Sequence, residues 1–233
     1  MATVIWRVVG LFCLFWIVMP LFAAGAGEKC IEQCQCFSGL EKLPHSYPSS
    51  PWFLVKLHPG DSIHKVRRLY GCEDTIYQTK LGDKVITRYG WQLAPFFLDA
   101  SANELGEILE ISVIHRGQSL TVPFGVELGK DTPEEVVRKT GYKKEGIWSR
   151  IRYGEGAWYY DICLDIGEGG AFTIRFGFAL YPEENPDHAK LINAAHEVTA
   201  ETFATIPVSR VELSYSEYGL CAQYQLRKTP NKQ

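Results

Sequence analysis

Chemistry at neutral pH calls on histidines, thiols or paired carboxylates at workable spacings. The six histidines are His45, His58, His64, His115, His188 and His196. His188 and His196 lie eight residues apart on one predicted helix, with Glu184 and Glu197 near them. That is the outline of a metal-ligand set, yet solvent-exposed helix histidines are the commoner outcome, and no metal is expected. Asp161 and Asp165 share one face of a predicted strand, roughly 13 Å apart at the rise of a strand. A retaining carboxylate pair needs a closer approach, so the two are read as a solvated face. Cys163 lies between them. No histidine adjoins it in sequence, and a disulfide is the expected fate of its thiol, with Cys221 as one candidate partner among several. Cys30, Cys34 and Cys36 form C-x3-C-x-C, without a second cysteine pair or a histidine at finger spacing. The chain contains no H-E-x-x-H, G-x-S-x-G or P-loop. It is read as a non-enzyme that needs no cofactor.

The elements around these residues begin with an export signal. Arg7 precedes the charge-free run Val8–Ala24, and Ala24-Gly25-Ala26 offers a small-residue cleavage site. Residues 1–26 are expected to be a signal peptide, with an uncleaved anchor as the alternative. The expected location is periplasmic or secreted, or else anchored and facing the periplasm. Cys13 leaves with the signal, so six cysteines remain: Cys30, Cys34, Cys36, Cys72, Cys163 and Cys221. An even count in an exported chain reads as disulfides, and six permit fifteen pairings that sequence leaves open. The formal charge is −3, from 24 basic and 27 acidic residues. No basic surplus exists to neutralise nucleic-acid phosphates. No single-sign run marks a membrane-surface segment.

After a Cys/Pro-rich lead-in over 27–56, the chain repeats itself. DSIHKVRRLYG at 61–71 is matched by DTPEEVVRKTG at 131–141. In the second copy Thr132 can cap a helix, Pro133 suits its first position, Glu135 completes a capping box and Gly141 ends it. Arg88-Tyr89-Gly90 then matches Arg152-Tyr153-Gly154, and Leu98-Asp99 matches Leu164-Asp165. Tyr160, Ile162, Leu164 and Ile166 alternate with Asp161 and Asp165; Phe172, Ile174, Phe176, Phe178 and Leu180 alternate with Thr173 and Arg175. Period-two alternation predicts antiparallel strands with one buried and one wet face. Gly167–Gly170 is the hairpin turn between them. The expected fold is α+β: a two-layer sandwich of two helix–three-strand units, 57–120 and 121–182, with a C-terminal helix and hairpin over 183–233. That helix is predicted from Asp187 to about Ala204, and WFLVKL is expected to be a short strand.

The residues Gly60-Asp61-Ser62 with Val66 and Gly71, and Lys130-Asp131-Thr132 with Val136 and Gly141, resemble the opening of a repeated unit found in two groups. These are the small lipoproteins of outer-membrane assembly and the secreted β-lactamase-inhibitor proteins. The resemblance covers about 57–180. It implies a protein-binding, non-catalytic role in the bacterial envelope: inhibitor- or immunity-like, with an assembly factor or a small-ligand-binding protein as alternatives. The expected partner is another protein, with no nucleic acid, and no membrane beyond the signal segment. Tyr and Trp are favoured interface anchors. Tyr89, Trp91, Trp158 and Tyr159 are therefore the candidate binding residues, with Trp91 and Tyr159 expected on the open face of the sheet.

Overall fold

The computed structural model describes residues 53–81, 83–94, 96–142, 147–218 and 221. The expected signal peptide over 1–26, Cys30, Cys34, Cys36 and the second arm of the expected closing hairpin lie outside the described residues, apart from Cys221.

Two short helices open the two copies of the repeat. Helix α1 spans Ile63–Tyr70 and α2 spans Pro133–Thr140. Ser62 caps α1 by accepting from the His64 amide. Glu135 returns to the Thr132 amide at 2.9 Å at the start of α2. The shared aspartate does the same work twice. Asp61 accepts from the His58 amide and the Lys65 ammonium; Asp131 accepts from the Glu127 amide and the Lys139 ammonium. Each helix shows a buried valine, Val66 or Val136, to one continuous core.

That core is one side of an eight-stranded antiparallel sheet. Its strands are β1 (Thr75–Leu81), β2 (Lys84–Gln92), β3 (Phe96–Ala102) and β4 (Ile108–His115), then β7 (Ile147–Gly154), β8 (Ala157–Ile166), β9 (Phe172–Leu180) and β10 (Arg210–Tyr215). The order across the sheet is β1-β2-β3-β4-β10-β9-β8-β7. A two-stranded sheet of β5 (Leu120–Val122) and β6 (Val126–Leu128) joins the halves. The α+β architecture predicted from alternation is present, and its units are larger than expected. Each helix is followed by four strands, because TIYQTKL forms β1 and RVELSY forms β10. The expected C-terminal appendage therefore supplies a central strand.

Backbone hydrogen bonds show the equivalence of β4 and β10. Gly60 donates to Ile108, and Ile108 donates back to Asp61. Gly129 donates to Val208, and Val208 donates back to Asp131. Strands β4 and β10 then pair in a register centred on Ser112 opposite Glu212. The sequence match of the two Arg-Tyr-Gly triplets is thus one strand out of step. Arg88–Gly90 sits on the second strand of its half, whereas Arg152–Gly154 sits on the outer strand of the other.

Two predicted elements differ. Of WFLVKL, the described residues 53–57 form a tight turn in which Leu54 and Leu57 exchange backbone hydrogen bonds, with Val55 and Lys56 at positive φ. The C-terminal helix α3 covers only Pro186–Ala194, and Ala195 is extended. A 3-10 turn over Ala200–Phe203 follows and buries Phe203 against Tyr160, with ring centroids 5.5 Å apart. The β-branched and polar run after Ala194 gives up helix in order to place that ring. Among the described residues no helix is long and apolar enough to cross a membrane.

Candidate functional site

Because side chains alternate, strand pairing assigns each residue to a face. The helices cover the face of Leu98, Ile111, Val113, Val211, Leu213, Ile174, Phe176, Phe178, Ile162 and Leu164. The opposite, open face carries polar groups in rows that run across the strands. One row reads Thr75, Gly90, Asp99, Ser112, Glu212, Arg175, Cys163. The next reads Tyr77, Arg88, Ser101, Glu110, Ser214, Thr173, Asp165. A third ends in Arg210, Gly177, Asp161 and Arg150.

This face is not the wet surface that period-two alternation predicts. Ser101, Glu110, Ser112, Asp161, Thr173, Arg175, Glu212 and Ser214 are all buried. Burying charge is costly unless it is paired, and the charges here are paired. The Arg175 guanidinium, 2 % exposed, donates to Glu212 and, at 3.3 Å, to Asp161. Arg152 donates to the other Asp161 oxygen at 3.3 Å. Asp161 is therefore a buried ion-pair partner and not a solvated one. Asp165 accepts from the Thr173 hydroxyl. Burial would lower the Arg175 pKa, but Glu212, Asp161 and Glu110 hold it above its ordinary value. Burial raises the Asp99 carboxyl against the pull of Arg88 and Arg210. Burial, then Glu212, pushes Glu110 up to about 8.

The pairing is incomplete. Among the described residues the Oγ atoms of Ser101, Ser112 and Ser214 and the Nε of Arg175 are buried without a hydrogen-bond partner. All four sit on this face. Beside Ser101 and Glu110 a cleft of about 170 Å³ reaches in under Tyr218. Tyr218 and Cys221 follow β10 back over the face. Lys84 donates to the Tyr218 hydroxyl on the β2 side, and Cys221 is bonded to Cys163 on β8. Of the pairings open to Cys163, the disulfide with Cys221 is the one present, closing 58 residues. Cys72 is also disulfide-bonded. Cys163 is spent in its bridge and cannot serve as a nucleophile.

The four candidate aromatics separate by face. Trp91 is 1 % exposed on the helical side, where its indole N–H donates to the Gly71 carbonyl at 2.9 Å. The expectation of an open-face Trp91 is corrected: odd-numbered β2 residues point at α1. Tyr89 is on the same side, under the Arg67 guanidinium. Trp158 also faces the helical layer, 5.2 Å from Tyr153. Tyr159 alone lies on the open face, half-buried, with the Arg152 guanidinium 3.9 Å above its ring. The histidine pair does not form either. His188 is on α3, where its Nδ1 accepts from the Tyr181 amide, and His196 lies beyond the end of the helix. Among the described residues no group of three His, Cys, Asp or Glu is placed to hold a metal ion.

The residues that sequence reading missed are Arg88, Ser101, Glu110, Arg175, Glu212 and Tyr218. A faint signal exists in EILEIS and RVELSY, where single charges recur at period two inside otherwise apolar strands. Only the register turns those single charges into rows.

No known family and no curated sequence matches the chain. Two crystal structures are similar to it. A candidate β-lactamase inhibitor protein from Streptococcus mutans shares 12% identity at a TM-score of 0.24, covering 52% of this chain and 76% of its own. A cysteine-rich secretory protein from Staphylococcus aureus shares 9% identity at a TM-score of 0.35, over 68% of this chain and 48% of its own length.

Proposed function

We propose that this chain is an exported, non-enzymatic protein-binding module of the bacterial envelope, inhibitor- or immunity-like, that engages its partner through the open face of the sheet. The supporting observation is the Arg152–Tyr159 stack at the β7–β8 end of that face. Arginine and tyrosine are enriched among interface hot spots, each burying a large area on contact. The pair is pre-ordered, because Asp161 fixes the guanidinium from below. At the other end of the face Tyr77 on β1 is 52 % exposed. The disulfide is the kind that persists in an oxidising compartment, which fits a periplasmic or secreted location.

The test is affinity capture from envelope extract with the full chain produced in oxidised form. One stoichiometric partner is expected, lost in the Arg152→Ala, Tyr159→Ala double variant. Tyr153, 59 % exposed on β7 and facing the other way, is the control, and Tyr153→Ala should keep the partner. Equal capture by both variants sinks the open-face reading.

A further inference from the structure

We infer that the cleft beside Glu110 is a binding site for a small monocarboxylate with a short apolar tail. The site is separate from the Arg152–Tyr159 stack, and the inference does not depend on the protein-binding reading. The cleft measures about 170 Å³. A cavity of about 150 Å³ holds benzene, so this one suits a ligand of similar size. Arg88, Ser101, Glu110 and Tyr218 form its polar walls, and Ile86 and Leu109 its apolar ones. Ser101 is 5 % exposed, and its hydroxyl has no partner among the described residues. A buried hydroxyl without a partner, on a residue in the wall of a cleft, calls for a polar ligand atom or a water. The planar guanidinium of Arg88 is hydrogen-bonded to Tyr77 and lies near Glu110 and Asp99, and its further N–H donors are of the kind that match a carboxylate. The apolar walls then take the tail. A dianion such as phosphate fits poorly, because Asp99 and Glu212 crowd the same face.

The protonation of Glu110 completes the match. The groups that bear on it are Glu212 of β10 and Asp99 of β3, which raise its pKa, and Arg88 of β2 and Arg175 of β9, which lower it. Lys80 and the Tyr218 hydroxyl also line the cleft. With burial as the largest cause, its carboxyl is pushed up to about 8. At neutral pH it keeps its proton and can donate to a ligand oxygen. Above about pH 8 it ionises and repels the ligand.

The experiment is an NMR titration of the full oxidised chain with sodium butyrate, and with butyramide as the neutral isostere. Saturable shifts are expected at the Ile86 and Leu109 methyls. Butyramide, and the Arg88→Met variant with butyrate, should bind at least about tenfold more weakly, the weight of a charge-assisted hydrogen bond. Ser101→Ala should weaken binding several-fold. Affinity should fall as the pH rises through about 8, and Glu110→Gln should bind with that dependence removed. Equal binding of butyramide, non-saturating shifts, tighter binding of phosphate, or undiminished binding by Arg88→Met would overturn the assignment. If Arg88→Met does not fold, the isostere and Ser101→Ala decide the matter.

Discussion

The two faces of the central strands are equally dry and opposite in chemistry. On β9, Phe172, Ile174, Phe176, Phe178 and Leu180 point at the helices, while Thr173 and Arg175 point away, and all are buried. The first set stabilises the fold, at about 1.5–3 kcal/mol for each large side chain taken out of water. The second set must offset its own desolvation by pairing. A buried ion pair is often no better for stability than an apolar replacement. Net stabilisation alone therefore does not account for the charged face. The comparison also separates two kinds of fragility. A core position fails by leaving a void, and a charged position fails by leaving a partner stranded.

The largest effects should come from both faces at once. Phe176→Ala should cost about 3–5 kcal/mol through the cavity it opens. Arg175→Met should cost a similar 3–5 kcal/mol, roughly, because Asp161 and Glu212 lose their cation. Denaturant titration of the two variants measures this, and an Arg175→Met cost near zero breaks the comparison. It is sharpened by Arg175→Met combined with Asp161→Leu and Glu212→Leu. That triple variant should recover most of the loss while abolishing partner capture. Next in size, Cys163→Ala with Cys221→Ala should cost about 2–4 kcal/mol, since the bridge no longer restrains the unfolded chain. Thermal melts with and without reductant report it.

A pH series distinguishes the faces in another way. The Glu110 carboxyl is raised from 4.5 to about 8 in the native state by burial and by Glu212. The unfolded chain ionises at the lower value. The stabilisation is therefore full below about pH 4.5 and is lost progressively as the pH rises to about 8. Glu110→Gln should flatten that slope in chemical denaturation, whereas Ile111→Val on the other face should leave it unchanged. The smallest effect belongs to the helix caps. Ser62→Ala should cost about 1 kcal/mol, measurable as a small drop in Tm.

What could be read from the sequence follows this division. The apolar face was legible, because alternation over 160–166 and 172–180 needs no knowledge of neighbours. Helix starts at Ser62 and Thr132 were legible from capping chemistry, and a disulfide at Cys163 from the even cysteine count, whereas its pairing with Cys221 needed the fold. The outer strand β1 was missed because TIYQTKL, exposed over most of its length, carries little apolar signal. The charged face was missed because Glu110, Arg175 and Glu212 lie 37 to 102 residues apart and meet only through the β4–β10–β9 register. Trp91 was misplaced for a related reason. A one-residue choice of phase moves a side chain to the other face, and the indole needed the Gly71 carbonyl as its partner.

Site-specific photo-crosslinking tests the central claim most directly, namely that the open face is the working surface. A benzophenone side chain would replace Tyr77 or Tyr159 on that face, and Leu69 or Leu191 among the exposed residues of α1 and α3. Incubation with envelope extract and irradiation should give one adduct of defined mass from the two tyrosine positions and none from the leucines. Adducts from Leu69 and Leu191 alone would place the partner on the helices and contradict the account.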